Sequence, residues 1–169
     1  ADAVKFIEEQ SMIAATITIH HLMVNRNIML SKGIRPDFYC APILKTEDDR
    51  RTLVQAAISG NNKFFLGTDS APHVESKKIA SCGCAGIFSS PLAIPLLIQL
   101  FEENNSIKKI ERFISENGRA FYGIRQQKDR VRYVKRSKPI EVIKDIKTNE
   151  GKITVFNPYS ETFWERENK

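Results

Sequence analysis

The chain has 169 residues, of which 41% are hydrophobic and 27% charged, and its formal net charge is +6. This length suffices for one domain with a sizeable core, and the composition excludes a disordered, fibrous or repeat protein. The longest apolar run, from Pro91 to Leu100, is too short to span a bilayer, and residues 1–10 lack the pattern of a signal peptide. We therefore expect a soluble protein with no membrane partner.

The first half of the chain predicts the order helix, strand, helix, strand. Ala1 to Gln10 has the apolar spacing of a helix already under way, and no initiator methionine precedes it, which indicates a fragment or a processed chain. Met12 to Ile19 is a nearly continuous apolar and β-branched run, typical of a strand buried on both sides. Thr46 to Ser59 predicts a helix with Thr46 as its N-cap and Gly60 as its stop. Lys63 to Gly67 predicts a second buried strand.

The second half begins with helices and ends in shorter elements. Pro91 to Asn104 predicts a helix with a proline in its first turns. Ser106 to Asn117 predicts another helix, which Gly118 would end. Beyond this point the pattern shortens to strands and turns, with Gly151 and Pro158 as breaks.

The connections between the elements are unequal in length. No clear period is present from His20 to Lys45 or from Asp69 to Ser90, and both segments follow the carboxyl ends of predicted strands. The return from helix to strand at Gly60 to Asn62 is short. In (β/α) barrels the loops after the strands carry function and the opposite loops only connect. The sequence therefore predicts an α/β fold with two βα units of a barrel whose other units are missing.

The segment GTDSAPH, from Gly67 to His73, carries the most informative side chains. Asp69 follows an apolar strand at its carboxyl end, where a carboxylate can ligate a metal or act as a general base. His73 lies four residues further on, past Pro72, and offers a donor to an anionic substrate. The alternative is structural: Asp69 caps the loop, and His73 is a surface histidine.

The segment CGCAG, from Cys82 to Gly86, lies in the same loop. Its glycines allow the backbone to approach a ligand closely, so that a polar ring can bind the N–H and C=O of Ala85. Two cysteines one residue apart are a weak metal signal, because zinc sites combine two clusters of ligands. With Cys40 the chain has three cysteines and no export signal, which favours reduced thiols in a cytoplasmic protein.

His20 and His21 follow the first predicted strand. On an extended chain neighbouring side chains point to opposite sides, so the two do not easily share one metal. A packed or capping histidine is the expected role, with one metal ligand as the alternative. Asn25 and Arg26, in the same loop, either hold an anion or satisfy loop carbonyls.

Arg125 to Lys138 forms a basic strip with seven basic residues and one acid, Asp129. A nucleic-acid-binding surface has this composition. A solvated pair of strands has it too, since Val131 and Tyr133 stand at alternate positions. We expect the solvated pair.

Four segments together resemble the dihydroorotases of the shorter bacterial type, which belong to the amidohydrolase superfamily. The segments are TITIHHLMVNRN (Thr16 to Asn27), GIRPDFYCAPILK (Gly33 to Lys45), FLGTDSAPH (Phe65 to His73) and SCGCAG (Ser81 to Gly86). Their order and spacing match the C-terminal half of that family. The resemblance implies the last two βα units of a (β/α)8 barrel over residues 1–124. A helical and β-strand extension would follow these units toward the C-terminus, and residues 125–169 would be an extension of the same domain.

The resemblance also implies an activity and its residues. The family interconverts dihydroorotate and N-carbamoyl-aspartate in pyrimidine biosynthesis, and the complete enzyme is expected to be a zinc-dependent homodimer with two zinc ions. Asp69 matches a zinc ligand that is also the general acid/base, and His73 matches a residue that binds the substrate carboxylate. Ala41 and Ala85 match positions whose backbone groups bind the ring. The family's other zinc ligands belong to its N-terminal half, so we expect this chain alone to be poorly folded, zinc-poor and inactive.

Two other functions stay open at this point. Another cyclic amidohydrolase, acting on a hydantoin-like or allantoin-like ring, would keep the barrel and Asp69, but the conjunction of YCAPILK with CGCAG opposes it. A module that binds nucleic acid would use Arg125 to Lys138, and its binding would weaken steeply with added salt.

Overall fold

A computed structural model describes residues 1–31, 33–126 and 128–167. Seven α-helices are described in these ranges: α1 (Asp2–Glu9), α2 (Ile19–Met23), α3 (Arg26–Leu30), α4 (Glu47–Ser59), α5 (Glu75–Lys78), α6 (Ala93–Glu103) and α7 (Asn117–Tyr122). The strands of the same ranges are β1 (Ala15–Ile17), β2 (Phe64–Leu66), β3 (Tyr133–Lys135), β4 (Asp145–Thr148), β5 (Gly151–Thr154) and β6 (Trp164–Arg166). Short 3-10 turns at Pro36–Phe38 and Ile107–Lys109 and a π-helical turn at Arg112–Glu116 complete these elements.

β1 and β2 form a parallel pair, with Ala15 opposite Phe64 and Ile17 opposite Leu66. The connection between them contains α4, whose ends form as the sequence predicts. The side chain of Thr46 accepts a hydrogen bond from the N–H of Asp49, and Gly60 ends the helix at φ 82°. This strand–helix–strand unit confirms the predicted α/β fold with parallel strands.

The first predicted strand is too long at both ends. β1 covers only Ala15–Ile17, and the side chain of Met12 is 86% exposed. At the other end Thr18 becomes the N-cap of α2, because its hydroxyl accepts a hydrogen bond from the N–H of His21. An apolar run alone did not reveal this change from strand to helix, since isoleucine suits both.

The helix predicted to stop at Gly118 continues through that residue and ends at Gly123, at φ 67°. A Cβ atom on Gly118 would lie 3.1 Å from the ring of Phe65, a residue of β2. Gly118 therefore allows the helix to approach the strand closely, which is a packing role rather than a stop signal.

The C-terminal region adds two antiparallel pairs, β3 with β6 and β4 with β5. Val155 and Phe156 belong to the main hydrophobic core, and the ring of Phe156 packs edge-on against Phe38 at 5.9 Å. The predicted division between residues 124 and 125 stays a prediction, and Gln127 and residues 168–169 of the extension lie outside the described residues.

The basic strip is largely paired with acids. Its ion pairs are Arg130 with Glu111, Lys135 with Glu102, Arg132 with Glu167 and Arg136 with Glu165. Tyr133 and Lys135 lie in the β3–β6 pair, as expected for solvated strands. This pairing lowers the free positive charge of the strip and weakens the nucleic-acid alternative. Among the described residues, no helix has the length and hydropathy that a bilayer crossing requires.

Candidate active site

The carboxyl ends of β1 and β2 meet at one edge, because the strands are parallel and in register. We call residues 20–45, which follow β1, the first mouth loop, and residues 69–90, which follow β2, the second mouth loop. Asp69 is exposed at this edge and has a left-handed backbone, with φ 42°. Burial lowers the pKa of His21 in the first mouth loop, and the charge of the Asp69 carboxylate opposes that shift.

The second mouth loop folds back on itself through backbone contacts. Ser70 forms a parallel bridge with Ile87, and the N–H of Ala71 donates to the carbonyl of Ile87 at 3.0 Å. The hydroxyl of Ser70 also accepts from the N–H groups of Ser89 and Ser90 at 3.1 and 3.0 Å. The two motifs of the loop, GTDSAPH and CGCAG, are therefore adjacent in space.

His73 packs directly on the second motif. A Cβ atom on Gly86 would lie 2.9 Å from the His73 ring and 2.6 Å from the Cβ of Ala71. Gly86 also has φ 155°, which favours glycine. The backbone therefore approaches His73 closely at this position, and Ala85 lies next to it in sequence. At Gly83 a Cβ atom would meet the carbonyl of Lys78 at 2.6 Å, so both glycines of the motif accommodate protein atoms.

Ala41 joins the same region through a neighbouring residue of the first mouth loop. The carbonyl of Tyr39 accepts from the N–H of Gly86 at 2.9 Å, which ties the two mouth loops together beside Ala85. Ala41 is exposed, and Ala85 is half-buried. Asp69, His73, Ala85 and Ala41 thus lie on two loops that contact each other at one edge.

Lys78 is a buried residue that the sequence did not reveal. Its side chain is 8% exposed, and its ammonium donates to the carbonyls of Tyr39, Cys84 and Gly86 at 3.3, 3.3 and 2.6 Å. Burial lowers the pKa of this lysine. A lysine on a short, polar stretch is normally solvated, so only the three-dimensional contacts identify it.

His20 and His21 lie on a helical turn, so the expectation of an extended chain at this point was wrong. Their ring centroids are 4.8 Å apart. His21 is bound through Nδ1 to the hydroxyl of Thr18 at 2.6 Å and through Nε2 to the carbonyl of Pro42 at 2.9 Å. The ring of His21 therefore connects the start of α2 to the carbonyl of Pro42 in the first mouth loop.

His20 is 3% exposed, and its Nδ1 atom has no hydrogen-bond partner among the described residues. Burial, and after it the neighbouring charge of His21, lowers the pKa of His20 to about 3. This ring is therefore neutral in the folded protein at neutral pH. It packs edge-on toward Phe156 with centroids 6.3 Å apart, as a core residue does.

Asn25 has a structural role in the first mouth loop. Its side chain accepts from the N–H of Ile28 at 3.1 Å and donates to Glu47 at 2.8 Å. The guanidinium of Arg50 binds the same carboxylate and also donates to the carbonyl of Leu22 at 2.8 Å. The side chain of Arg50, with that of Asn25, holds the pKa of Glu47 at about 2. These hydrogen bonds to Ile28 and Glu47 do not support the alternative in which the side chain of Asn25 holds an anion.

The described part of the chain does not gather a set of metal ligands around Asp69. A zinc site takes three or four protein ligands. Asp69 offers one carboxylate at the strand edge, and the one donor group found in the described ranges consists of His20, His21 and Cys40, with ligand atoms within 4.8 Å of one another. That group does not include Asp69. The described residues therefore form no group of three donors that includes Asp69.

Comparisons with known proteins agree along almost the whole chain. It is 43% identical over 164 residues to a dihydroorotase of Ruegeria sp. (strain TM1040), which covers 96% of this chain and 47% of the relative. It is 42% identical over 168 residues to a dihydroorotase of Allorhizobium ampelinum, covering 99% of this chain and 48% of the relative. The chain thus spans about half the length of the curated relatives it matches. A search of protein-family models gave no match.

Solved structures give the same result. The crystal structure of a Saccharomyces cerevisiae dihydroorotase in complex with 5-fluoroorotic acid superposes with a TM-score of 0.86 at 31% identity, over 98% of this chain and 48% of that chain. A Campylobacter jejuni dihydroorotase superposes with a TM-score of 0.85 at 26% identity, over 98% of this chain and 48% of that chain. The parallel unit and its loop edge therefore define part of an α/β barrel of the amidohydrolase type. The chain belongs to the dihydroorotase family and corresponds to the C-terminal half of its members.

Proposed function

We propose that this chain supplies the acid/base side of a dihydroorotase, which interconverts dihydroorotate and N-carbamoyl-aspartate in de novo pyrimidine biosynthesis. The observation that carries the proposal is the folding of the second mouth loop. It brings the motif of Asp69 and His73 against the motif of Ala85 at the carboxyl edge of a parallel strand pair. Active sites of barrel enzymes lie at this edge. Membership of the dihydroorotase family adds the substrate class.

Each residue has a role that its chemistry permits. Ring opening adds the oxygen of water to the ring carbonyl carbon and breaks the C–N bond, and the nitrogen leaves with a proton. Asp69 accepts the proton of the attacking oxygen and transfers it to that nitrogen, as a general base and then a general acid. His73 donates a hydrogen bond to the substrate carboxylate. The backbone N–H and C=O of Ala85, with those of Ala41, complement the carbonyl and N–H groups of the ring.

Asp69 would also be one ligand of the metal centre, and we propose zinc, with two ions in the complete enzyme. Bound zinc lowers the pKa of a coordinated water and so supplies a nucleophile near neutral pH. The remaining ligands would come from the half of the barrel that this chain does not contain. We also propose that the complete enzyme is a homodimer, which light scattering of the purified enzyme would test.

Turnover by the complete enzyme tests the proposal. We expect hydrolysis of dihydroorotate and formation of dihydroorotate from N-carbamoyl-aspartate, with little activity on hydantoin or allantoin. A preference for hydantoin would replace the proposal with the other cyclic amidohydrolase.

The chain alone should be inactive, because it offers one zinc ligand near the edge and because apolar side chains lie exposed on it. These side chains include Phe6, Met12, Phe121, Tyr122 and Ile124. Mixing the chain with the N-terminal half of the family's barrel should restore turnover. Stoichiometric zinc binding and a cooperative melt by the chain alone would contradict this expectation.

A further inference from the structure

The side chain of Lys78 connects the backbone segment that carries Ala85 with the segment that leads to Ala41. A protonated ammonium has three N–H donors, and here all three face carbonyl oxygens: Tyr39 O, Cys84 O and Gly86 O. Hydrogen bonds from a charged donor are stronger than those between neutral groups. A buried cation costs free energy unless it is satisfied in this way. The carbonyl oxygens therefore satisfy all three N–H donors of the buried ammonium.

These contacts fix the direction of both polar groups of Ala85. In a trans peptide the C=O and the N–H point in opposite directions. The carbonyl of Cys84 points toward the ammonium of Lys78, so the N–H of Ala85, which shares its peptide, points away from it. The N–H of Gly86 points toward Tyr39, which Lys78 also binds, so the C=O of Ala85 likewise points away.

The backbone of Ala85 is thus left open for a ligand. Among the hydrogen bonds of the described residues, neither its N–H nor its C=O has a partner. The two groups form an adjacent donor and acceptor, which complements the adjacent carbonyl and N–H of a cyclic imide or amide. We infer that Lys78 is a positioning residue that orients the backbone of Ala85 to recognise the substrate ring, an inference that rests on the proposed function.

Ligand binding by the complete enzyme tests this role without turnover. Orotate has the ring, whereas succinate has carboxylates and no ring. In Lys78→Met we expect the Kd of orotate to rise about tenfold, as for the loss of one ring hydrogen bond, and the Kd of succinate to change less than about twofold. Lys77→Met is the matched control, because its ammonium pairs with Glu150 at the surface, and it should leave both constants unchanged.

The outcomes separate the alternatives. An equal loss for both ligands would mean that Lys78 acts only by its charge, and unchanged orotate binding would mean that it does not position Ala85; either result overturns the inference. If Lys78→Met does not fold, Lys78→Gln, whose neutral amide keeps two N–H donors and no charge, should still weaken orotate binding about threefold and spare succinate binding. An unchanged orotate Kd in that variant overturns the inference as well.

Turnover distinguishes this inference from the proposed function. With dihydroorotate as substrate, Lys78→Met should raise KM about tenfold and change kcat less than about threefold. Wild-type enzyme that neither turns over dihydroorotate nor binds orotate would overturn the proposed function and the inference together. Wild-type turnover with normal orotate binding by Lys78→Met would overturn the inference alone.

Discussion

The two mouth loops follow neighbouring parallel strands, yet they are built in different ways. The first is held by side chains: His21 joins Thr18 to the carbonyl of Pro42, and Asn25 joins α3 to Glu47. The second is held mainly by backbone bridges, close contacts at glycines and the ammonium of Lys78. Side chains in the first loop are therefore occupied with structure. In the second loop Asp69 and His73 are left free of side-chain hydrogen bonds in the described part of the chain.

This difference indicates that the second loop performs the chemistry and that the first loop supports the structure of the site. Substitutions of Asp69 or His73 in the second loop should then change turnover or substrate binding and leave stability nearly intact. Substitutions in the first loop should change stability and its pH dependence.

Asp69→Asn should have the largest effect. In the complete enzyme we expect kcat to fall by about 10²–10⁴-fold, because an amide neither shuttles a proton nor ligates well. Asparagine also tolerates the left-handed backbone that residue 69 adopts, so the fold should be kept. Circular dichroism and thermal melting serve as the controls. A variant that keeps more than about a tenth of the wild-type rate contradicts the general acid/base role.

His73→Ala should have an intermediate effect that separates binding from chemistry. Loss of a donor to the substrate carboxylate should raise KM for dihydroorotate about tenfold, with a smaller change in kcat. Metal content, measured by atomic emission, should equal that of the wild type. Loss of zinc in this variant would instead make His73 a metal ligand.

His20→Leu should have the smallest effect on activity and a measurable effect on stability. The folded protein keeps His20 neutral, with a pKa of about 3, whereas the unfolded chain protonates it below about 6.5. The free energy of unfolding therefore falls as the pH drops from about 6.5 toward 3, and this part of the fall is absent in the leucine variant.

Between about pH 7 and pH 5 we expect the wild type to lose about 2 kcal/mol more than His20→Leu in urea unfolding of the complete enzyme. Metal release on acidification is common to both proteins and cancels in the difference. Carboxylates such as Glu47, whose pKa is held near 2, act at lower pH and do not contribute in this window. Parallel curves for the two proteins would contradict a buried neutral His20.

The sequence predicted those features that depend on local chemistry. Thr46 and Gly60 define α4 because capping is a property of a few neighbouring residues. The parallel pair and the loops at its carboxyl edge followed from the order of the apolar runs. The placement of Asp69 at the strand edge followed in the same way, while its role, with those of His73, Ala41 and Ala85, stays a proposal.

The features that depend on distant contacts were missed. Gly118 was predicted to stop a helix, but it lies inside one because Phe65, on another element, requires the space. His20 and His21 were placed on an extended chain, whereas the hydroxyl of Thr18 starts a helix there. Lys78 gave no sequence signal, because its three partners are carbonyls that any residue can provide.

The left-handed backbone of Asp69 restricts which residues evolution or a mutant library can place at this position. Glycine, asparagine and aspartate adopt a φ of 42° with little strain, whereas glutamate, with its longer side chain, does not. A glutamate would keep the carboxylate and the charge, yet it would favour a backbone with negative φ and so a different turn. Selection for a carboxylate and selection for this turn together leave aspartate as the residue that satisfies both.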